Sequence, residues 1–347
     1  MGSYNQPFLL CIKSNYMISK QSKIKQVNTK LRYENKELKK RQSFLEGINI
    51  NEIESFERFS IPCNTKLKEE VIAISTLSDI HVEEPVAKAL VNNLNEYNLT
   101  ISEQRVTLYF KRLMYMVNQA RKSGYKIDTL VLGFLGDFIT GYIHEELEEV
   151  NELTPVQATL FIQNLLVQGV KFLSENGKFT KIIIPCVPGN HGRTTKRKRF
   201  TSGYKNSYEW LMYNNIKHLF IEIGSYDNVE LIIPESEFIY LDLFGYINKF
   251  SHGDHFNYQG GIGGLEVPLK KWILRENAVI KTDMSWIAHW HQYIVLNKVR
   301  VNGSLIGYNS YARAYGFEPE PPKMQFQLLD KKRGFTLNNP IILTDWK

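Results

Sequence analysis

The sequence predicts an α/β fold, and two observations support this prediction. Between residues 71 and 187 the chain alternates apolar strand-like runs with helix-like segments, in the order strand, helix, strand, helix, strand. Such alternation is typical of a parallel sheet covered by helices. After about residue 228 the strand-like runs follow one another at short intervals, which predicts a second, more antiparallel sheet. The composition, 43% hydrophobic and 23% charged, is that of an ordinary globular protein and excludes wholesale disorder.

Residues 1–68 are predicted to form a basic helical extension followed by a linker, and residues 69–347 the main domain. Residues 20–46 are predicted to be one helix, because neither Pro nor Gly interrupts them before Gly47. Within this helix one apolar residue recurs at every seventh position: Ile24, Leu31, Leu38 and Leu45. One apolar residue per heptad makes a poor coiled-coil seam. We therefore favour a solvated basic helix over a dimerising coil or a nucleic-acid-binding arm.

The formal net charge of +7 belongs to this extension. Residues 1–46 contain ten basic and three acidic residues, whereas the other 301 residues contain 33 of each sign. The basic pI therefore does not by itself indicate that the main domain binds nucleic acid. If the chain has a protein partner or associates with itself, residues 20–46 are where that contact is expected.

Each element of the main domain follows from a local pattern. Short apolar runs predict buried strands, and apolar residues at helical spacing predict amphipathic helices. Thr154 followed by Pro155 is a typical helix start. The predicted strands cover residues 71–77, 130–135, 181–187, 229–233, 238–243, 246–251, 285–288 and 294–301, and the predicted helices cover 101–123, 154–173 and 264–275. Residues 303–347 are expected to supply closing strands and a surface loop.

Several protein classes are excluded by what the sequence lacks. Three scattered cysteines, Cys11, Cys63 and Cys186, are too few for a disulfide framework or a thiolate metal site. No stretch approaches the roughly 18 apolar residues of a membrane span. The apolar run at residues 8–12 is shorter than the core of a secretory signal. We therefore expect a cytoplasmic protein of a reducing compartment, without a membrane partner.

Polar residues able to bind metal follow five of the predicted strands. Ligands of α/β proteins bind beyond the carboxyl ends of strands, so these segments are expected to converge. Five of the eight histidines lie in them. Each motif alone is weak, whereas five in order, each after an apolar run, are informative. The segments are Ser78-Asp79-Ile80-His81, Gly136-Asp137, Pro188-Gly189-Asn190-His191, Ser251-His252-Gly253-Asp254 and Ala288-His289-Trp290-His291.

The side chains in these segments are carboxylates, one carboxamide and imidazoles. Oxygen and nitrogen donors without thiolate suit Mn, Fe or Zn. The donors outnumber what one ion needs, and two ions bridged by a carboxylate would use them all. Because side-chain direction repeats every two residues in extended chain, Asp79 and His81 face the same way, as do His289 and His291. The sequence therefore predicts a site for two divalent metal ions, with Mn²⁺ the expected metal and Fe or Zn as alternatives.

The ordered set D-x-H, G-D, G-N-H, H and A-H-x-H resembles the calcineurin-like metallophosphoesterase superfamily. The resemblance spans about residues 71–300. It implies a four-layer αββα sandwich of two mixed β-sheets flanked by helices, with a di-metal site at one end. On the strength of H-G-D and N-H-G-R, the chain is also similar to DNA-repair exonuclease-like members, including bacteriophage-encoded ones, which would place it in a host cytoplasm or a virion.

The resemblance also implies a role for each matching residue. Asp79, His81 and His291 would ligate one metal; Asn190, His252 and His289 would ligate the second; and Asp137 would bridge the two. His191 would contact the phosphate and protonate the leaving group, a role that an imidazole can fill near neutral pH. The pair of cations would activate a water molecule for in-line attack on phosphorus. The implied activity is that of a metallophosphoesterase.

Three positions depart from the family pattern. Ala288 replaces the usual Gly, and residues 138–140 lack a second acid that some members have. Gly192 stands where an acidic residue is common, so an acid supporting His191 must come from elsewhere or be absent. None of these changes removes a metal ligand, so we expect an active enzyme.

A basic run beside the site bears on the substrate. It begins directly after His191 and contains Arg193, Lys196, Arg197, Lys198 and Arg199. Charge runs are usually solvated loops, but the main domain as a whole is charge-neutral, so this run is a local concentration of positive charge. A basic rim beside a phosphoesterase site fits a nucleic acid. Nearby aromatic residues such as Trp290 could add stacking surfaces.

The sequence leaves three functions open. The leading hypothesis is a di-metal nuclease or phosphodiesterase acting on nucleic acid. The second is a phosphomonoesterase acting on a nucleotide or phosphoprotein, in which Arg193 would clamp a single phosphate. The third is a phosphoesterase-fold assembly protein tethered by its N-terminal helix.

Overall fold

The computed structural model describes residues 28, 30–32, 35, 36, 38, 39, 69–223, 226–256 and 264–344. The described residues between 28 and 39 are helical, in line with the helix predicted over residues 20–46. The ends of that helix, the linker and the domain boundary proposed at residue 68 lie outside the described residues, so these remain predictions.

The main domain alternates strands and helices in its first half and is richer in strands in its second half. The strands are β1 (Glu69–Leu77), β2 (Tyr125–Phe134), β3 (Lys181–Pro185), β4 (Val229–Ile232), β5 (Ile239–Leu243), β6 (Tyr246–Phe250), β7 (Met284–Ile287), β8 (Ile294–Leu296), β9 (Val299–Val301), β10 (Lys323–Asp330) and β11 (Gly334–Ile342). The α-helices are α1 (Leu99–Lys122), α2 (Glu145–Val150), α3 (Pro155–Asn176), α4 (Tyr208–Lys217), α5 (Glu266–Glu276) and α6 (Ser310–Ala314). Short 3₁₀ turns cover Lys88–Val91 and Tyr204–Asn206, and a π turn covers His218–Ile223.

The first sheet has six strands in the order β11-β10-β1-β2-β3-β4. The pairings β1–β2, β2–β3 and β3–β4 are parallel, as the alternation of strands and helices predicts. The C-terminal hairpin of β10 and β11 closes the sheet by antiparallel pairing of β10 with β1. This sheet is therefore mixed, and the C-terminal segment supplies closing strands as expected.

The second sheet has five strands in the order β5-β6-β7-β9-β8. It is also mixed, because β6 and β9 both run parallel to β7 whereas β5–β6 and β8–β9 are antiparallel. The prediction of a single strand over residues 294–301 is wrong. The chain turns at Asn297 and Lys298 and forms the hairpin of β8 and β9, because Asn is well suited to a two-residue turn between apolar segments.

The two sheets pack face to face between helices, which makes four layers. Along β1, Val71, Ala73 and Leu77 pack in the cluster that also contains residues of α1 and α3. Ile72 and Ile74 point the other way, into a cluster shared with Phe250 and Trp286 of the second sheet. On the far side of that sheet, Leu269 and Trp272 of α5 pack on residues of β7 and β9. The predicted αββα sandwich is confirmed.

Helices α1 and α3 approach closely where α3 has a glycine. A Cβ atom at Gly169 would lie 2.1 Å from the ring of Phe110, which is fully buried on α1. Replacing Gly by Ala inside a helix ordinarily stabilises it by up to about 1 kcal/mol. Here we expect Gly169→Ala to lower the free energy of unfolding by about 1–3 kcal/mol, because the ring cannot move away in a packed core.

Urea unfolding of Gly169→Ala and of Lys171→Ala, on the exposed face of the same helix, checks this expectation. The lysine variant should stay within about 0.5 kcal/mol of the wild type. An unchanged or raised stability of Gly169→Ala would show that α1 and α3 do not pack as described.

None of the helices in the described part of the chain combines the length and the apolarity that a membrane crossing needs.

Candidate metal centre

Five loops that follow strands meet at one edge of the sandwich. The first three belong to the parallel strands β1, β2 and β3, and the other two follow β6 and β7 of the second sheet. A hydrogen bond from the amide of His289 to Oδ1 of Asp79, 3.1 Å long, joins the two sheets here. The loops bring together all the predicted ligands: Asp79 and His81, Asp137, Asn190, His252, His289 and His291.

Five of these ligands have left-handed backbone. This conformation is uncommon for residues other than glycine and asparagine, and such strain concentrates at functional sites. The backbone here is therefore not extended, so the premise of the prediction that Asp79 and His81, and likewise His289 and His291, face the same way is wrong. The φ angles are 49° for Asp79, 48° for His81, 53° for Asp137, 72° for His289 and 52° for His291.

The first cluster of donors consists of Asp79, His81 and His291, all buried. Nε2 of His81 lies 3.2 Å from Nε2 of His291, which lies 3.5 Å from Oδ1 of Asp79. Burial, reinforced by His191 and His291, holds the pKa of His81 well below its usual value. His81 is therefore neutral and has a lone pair free to bind a metal ion, as ligation requires.

The second cluster consists of Asp137, His252 and His289. Nε2 of His252 lies 2.9 Å from Oδ2 of Asp137 and 3.1 Å from Oδ1 of Asn190. Burial lowers the pKa of His289 to about 4, with a further contribution from His252, so this imidazole is neutral as well. In each cluster the candidate ligand atoms lie within 4.8 Å of one another.

The hydrogen bonds of His252 test whether the second cluster fits a cation. Its Nδ1–H donates to the carbonyl oxygen of Leu135 at 2.6 Å, so in the neutral ring Nε2 has only a lone pair. That lone pair faces the oxygens of Asp137 and Asn190, which are acceptors too. Burial lowers the pKa of His252, but the nearby Asp137 outweighs burial and the pKa is raised to about 10. Without a metal ion, Nε2 therefore carries a proton, which faces these two oxygens. The donor sets of both clusters fit divalent metal ions, and the hydrogen bond to Leu135 orients the His252 ring for ligation.

His191 lies between the loops that hold the two clusters. Its Nδ1–H donates to the carbonyl oxygen of Thr140 at 2.9 Å, and its backbone amide donates to Oδ1 of Asp137 at 2.8 Å. The ring packs edge-on against His81 with 4.8 Å between centroids. Since His191 is only half-buried and Nδ1 is engaged, Nε2 is the ring atom left for a ligand. This geometry suits a residue that binds an oxyanion or donates a proton.

Two buried glutamates that the sequence reasoning missed hold the loops in place. Oε1 of Glu83 accepts the amides of Thr140 and Gly141, and Glu209 accepts the amides of Phe138 and Gly189. Burial raises the pKa of each carboxyl to about 7. Glu83 continues the every-second-residue spacing of Asp79 and His81, a signal that could have revealed it. The sequence around Glu209 holds no comparable signal.

The basic run borders the second cluster, but its members differ in what they contact. Arg193 is half-buried and donates to the carbonyl oxygens of Asn190 and Thr195 at 2.7 and 3.1 Å, so it supports the loop itself. Lys198 lies 2.7 Å from Asp254 and 3.2 Å from Glu237, which neutralise its charge. Substrate binding by these two residues remains a prediction. Their contacts in the structure are with the protein itself. The exposed members of the run are Lys196, Arg197 and Arg199.

Trp290 does not offer the stacking surface that its place between two ligands suggested. Its side chain is buried, donates through Nε1 to the carbonyl oxygen of Gly253 at 3.2 Å, and stacks on Phe256. Phe200, at the end of the basic run, is 81% exposed, and Nζ of Lys198 lies 5.5 Å from the centre of its ring.

Comparisons with known proteins were made from sequence and from structure. No protein-family model matches the chain, and no curated protein sequence matches it. Among solved structures, the chain is similar to the hypothetical protein PH1004 from Pyrococcus horikoshii OT3, with 12% identity, coverage of 78% of this chain and 88% of that one, and a TM-score of 0.34. It is also similar to Vps29 complexed with Zn²⁺ from Entamoeba histolytica, with 9% identity, coverage of 78% and 99%, and a TM-score of 0.30.

A third similar structure is the phosphopantetheinyl hydrolase PptH from Mycobacterium tuberculosis, with 12% identity, coverage of 71% of this chain and 92% of that one, and a TM-score of 0.26. At such TM-scores the likeness bears no weight, and the function proposed below rests on this chain's own residues.

Proposed function

We propose that this protein is a di-metal phosphoesterase of the calcineurin-like superfamily that hydrolyses phosphodiester bonds of nucleic acid. The observation that supports this most is the pair of Asp–His clusters at the carboxyl ends of strands from both sheets, with His191 in contact with His81 of one and Asp137 of the other. The sequence motifs further favour a DNA-repair exonuclease-like member, of the kind that bacteriophages also encode.

The ligands divide between two cations, with Mn²⁺ as the proposed metal. Asp79, His81 and His291 would hold one ion, and Asn190, His252 and His289 the other, with Asp137 between them. Such ions, when bound, polarise phosphate oxygens and lower the pKa of a coordinated water. The chain's own part is to hold these donors in fixed orientation, with His81 and His289 kept neutral by burial.

His191 is proposed to act on the leaving group. The carbonyl of Thr140 keeps a proton on Nδ1, so Nε2 is the atom that holds and donates the second proton to the departing oxygen. The ring stays in register with the metal ligands because its own backbone amide is bonded to Asp137. Proton donation of this kind contributes about 10²- to 10⁴-fold to the rate.

Nucleic acid is the proposed substrate because of the exposed cations beside the second cluster. Lys196, Arg197 and Arg199 extend from the loop that begins at His191, and Phe200 adds an exposed ring. Cations next to a ring on an open loop suit a phosphate backbone with stackable bases. A phosphomonoesterase is less favoured, because Arg193, the proposed single-phosphate clamp, already donates to two carbonyl oxygens of its own loop.

The decisive experiment incubates purified protein and Mn²⁺ with single- and double-stranded DNA, RNA, bis-p-nitrophenyl phosphate and p-nitrophenyl phosphate. The proposal predicts hydrolysis of a nucleic acid and of the diester, with none by Asp137→Asn. Hydrolysis of the monoester alone would establish a phosphomonoesterase. Failure with every substrate would favour an assembly protein held through its N-terminal helix.

The three exposed cations should matter only for the extended substrate. Changing Lys196, Arg197 and Arg199 together to Gln is expected to lower kcat/KM for DNA about tenfold or more at moderate salt, and to leave hydrolysis of bis-p-nitrophenyl phosphate unchanged. Each lost contact with a phosphate of duplex DNA should also weaken the salt dependence of binding. The slope of the logarithm of the DNA-binding constant against the logarithm of salt concentration should fall in magnitude by about 0.9. Initial rates measure the first effect, and DNA-binding titrations across a salt series measure the second.

A charge-matched control lies at the opposite edge of the sheet. Lys331, Lys332 and Arg333 form the turn of the β10–β11 hairpin, which pairs with the amino-terminal half of β1. Neutralising these three should leave DNA hydrolysis and its salt dependence as in the wild type. Equal losses in both triple variants would mean that general charge attracts DNA and the basic run has no special part.

A further inference from the structure

Glu209 is a fully buried carboxylate that joins two of the ligand loops. Oε1 accepts the amide of Phe138 and Oε2 accepts the amide of Gly189, both at 2.6 Å. Phe138 follows Asp137 directly, and Gly189 precedes Asn190 and His191. One side chain thereby fixes the distance between the loop after β2 and the loop after β3.

Glycines allow the loops to approach this closely. A Cβ atom at Gly189 would lie 2.1 Å from Oδ1 of Asp137, and one at Gly136 would lie 2.1 Å from the amide nitrogen of Gly189. A Cβ atom at Gly192 would lie 2.7 Å from Cγ and 2.9 Å from Cδ of Glu209. Any side chain at position 192 would therefore enter the space that the Glu209 carboxylate occupies.

This contact explains why position 192 is a glycine. The carboxylate of Glu209, from the first turn of α4, occupies the space that a side chain at position 192 would need. Ser207 caps that helix by accepting the amide of Trp210, and the amino end of a helix favours a negative charge. The carboxylate contacts the backbone of the ligand loops, whereas His191 is held by Thr140.

We propose that Glu209 is a positioning residue for the second metal, and that Gly192 is required because it makes room for Glu209. The proposal rests on the two-metal centre of the proposed function. Glu209 touches neither the ligands' donor atoms nor a substrate. It acts by setting where Asp137 and Asn190 stand relative to each other, and both belong to the second donor set with His252.

A change at Glu209 is expected to weaken binding of the second metal ion more than that of the first. The loop with His81 and the segment with His291 make no hydrogen bond to Glu209 among the described residues. Removing the carboxylate leaves the amides of Phe138 and Gly189 without their buried acceptor, so those two loops move apart. A glutamine can accept from only one amide and turns its NH₂ toward the other, so Glu209→Gln should act in the same direction as Glu209→Ala.

The test measures metal affinity by calorimetric titration of Mn²⁺ into the full-length chain, without a substrate. We expect the wild type to bind two ions, and Glu209→Gln, Glu209→Ala and Gly192→Ala to bind one ion about 10- to 100-fold more weakly. The loss at the other ion should be smaller, because only Asp137 of the displaced donors is shared with it. Asp330→Asn is the control, because this buried carboxylate likewise accepts two amides, those of Lys332 and Arg333, at the far hairpin. It should bind both ions like the wild type.

Wild-type affinity for both ions in the Glu209 variants, or an equal loss at both ions, would overturn the proposal. If Glu209→Ala does not fold, as judged by circular dichroism, Glu209→Gln and Gly192→Ala decide the matter. Absence of any metal binding by the wild type would contradict the proposed function itself, so the two failures are distinguishable.

Discussion

Replacing Asp137 by asparagine is expected to lower phosphodiester hydrolysis at least about a thousandfold. The carboxylate faces Nε2 of His252 at 2.9 Å, and its other oxygen accepts the amide of His191. An asparagine in this place removes the charge and can donate its NH₂ to the His252 lone pair, which would then no longer be free for metal. Loss of several kcal/mol of transition-state stabilisation corresponds to this factor, since each 1.4 kcal/mol is tenfold.

The variant should fold, because asparagine tolerates the φ of 53° at this position. The variant should differ from the wild type in how much Mn²⁺ stabilises the fold. For the wild type, Mn²⁺ at about 100 times its Kd should stabilise the fold by about 2.7 kcal/mol per ion, which raises Tm. For Asp137→Asn the rise should be smaller.

Asp128→Asn, at the opposite end of the same strand β2, is the control and should keep both the activity and the rise in Tm. Full activity of Asp137→Asn would refute the assignment of the centre.

Replacing His191 by glutamine is expected to lower hydrolysis of nucleic acid about 10²- to 10⁴-fold while metal binding is retained. The imidazole is not a member of either donor cluster, and the backbone bond from residue 191 to Asp137 survives the change. The loss is therefore expected in kcat, since the side chain acts on the leaving oxygen and not on the metals.

The leaving group distinguishes proton donation from simple disturbance of the site. A nitrophenolate departs readily without a proton, whereas the sugar oxygen of DNA does not. His191→Gln should therefore lose far more activity on DNA than on bis-p-nitrophenyl phosphate. The control is His218→Gln, which changes an exposed histidine after α4. It should keep its activity on both substrates. Equal losses of the two substrates would argue against His191 as the acid.

Much of the fold was predictable because strands and helices have short-range signatures. The apolar runs at β1, β2 and β3 and the helical spacing of α1 and α3 repeat with periods that the local chain sets by itself. The hairpin of β8 and β9 was missed, because the turn at Asn297 and Lys298 interrupts a run that is otherwise apolar.

The contacts that bear on substrate were less accessible from sequence. Lys198 belongs to a basic run, yet its charge is taken up by Asp254 and Glu237, which lie far away in the chain. A count of local charges cannot show such pairing, since the partners come together only when the loop after β3 packs against the loops of the second sheet. The same holds for Trp290, whose burial follows from its stacking on Phe256.

The sequence by itself determined which donor types occur and in what order, because each predicted ligand directly follows an apolar strand and the carboxyl ends of parallel strands meet at one edge. The family resemblance already divided those donors between two metals, and only the tertiary structure decided what holds the loops together. The separation of Asp137 from Asn190 depends on Glu209, which lies 71 positions from its partner Phe138 and has no local pattern of its own. Such a contact arises from the packing of α4 beside the sheet edge, and no short-range periodicity encodes it.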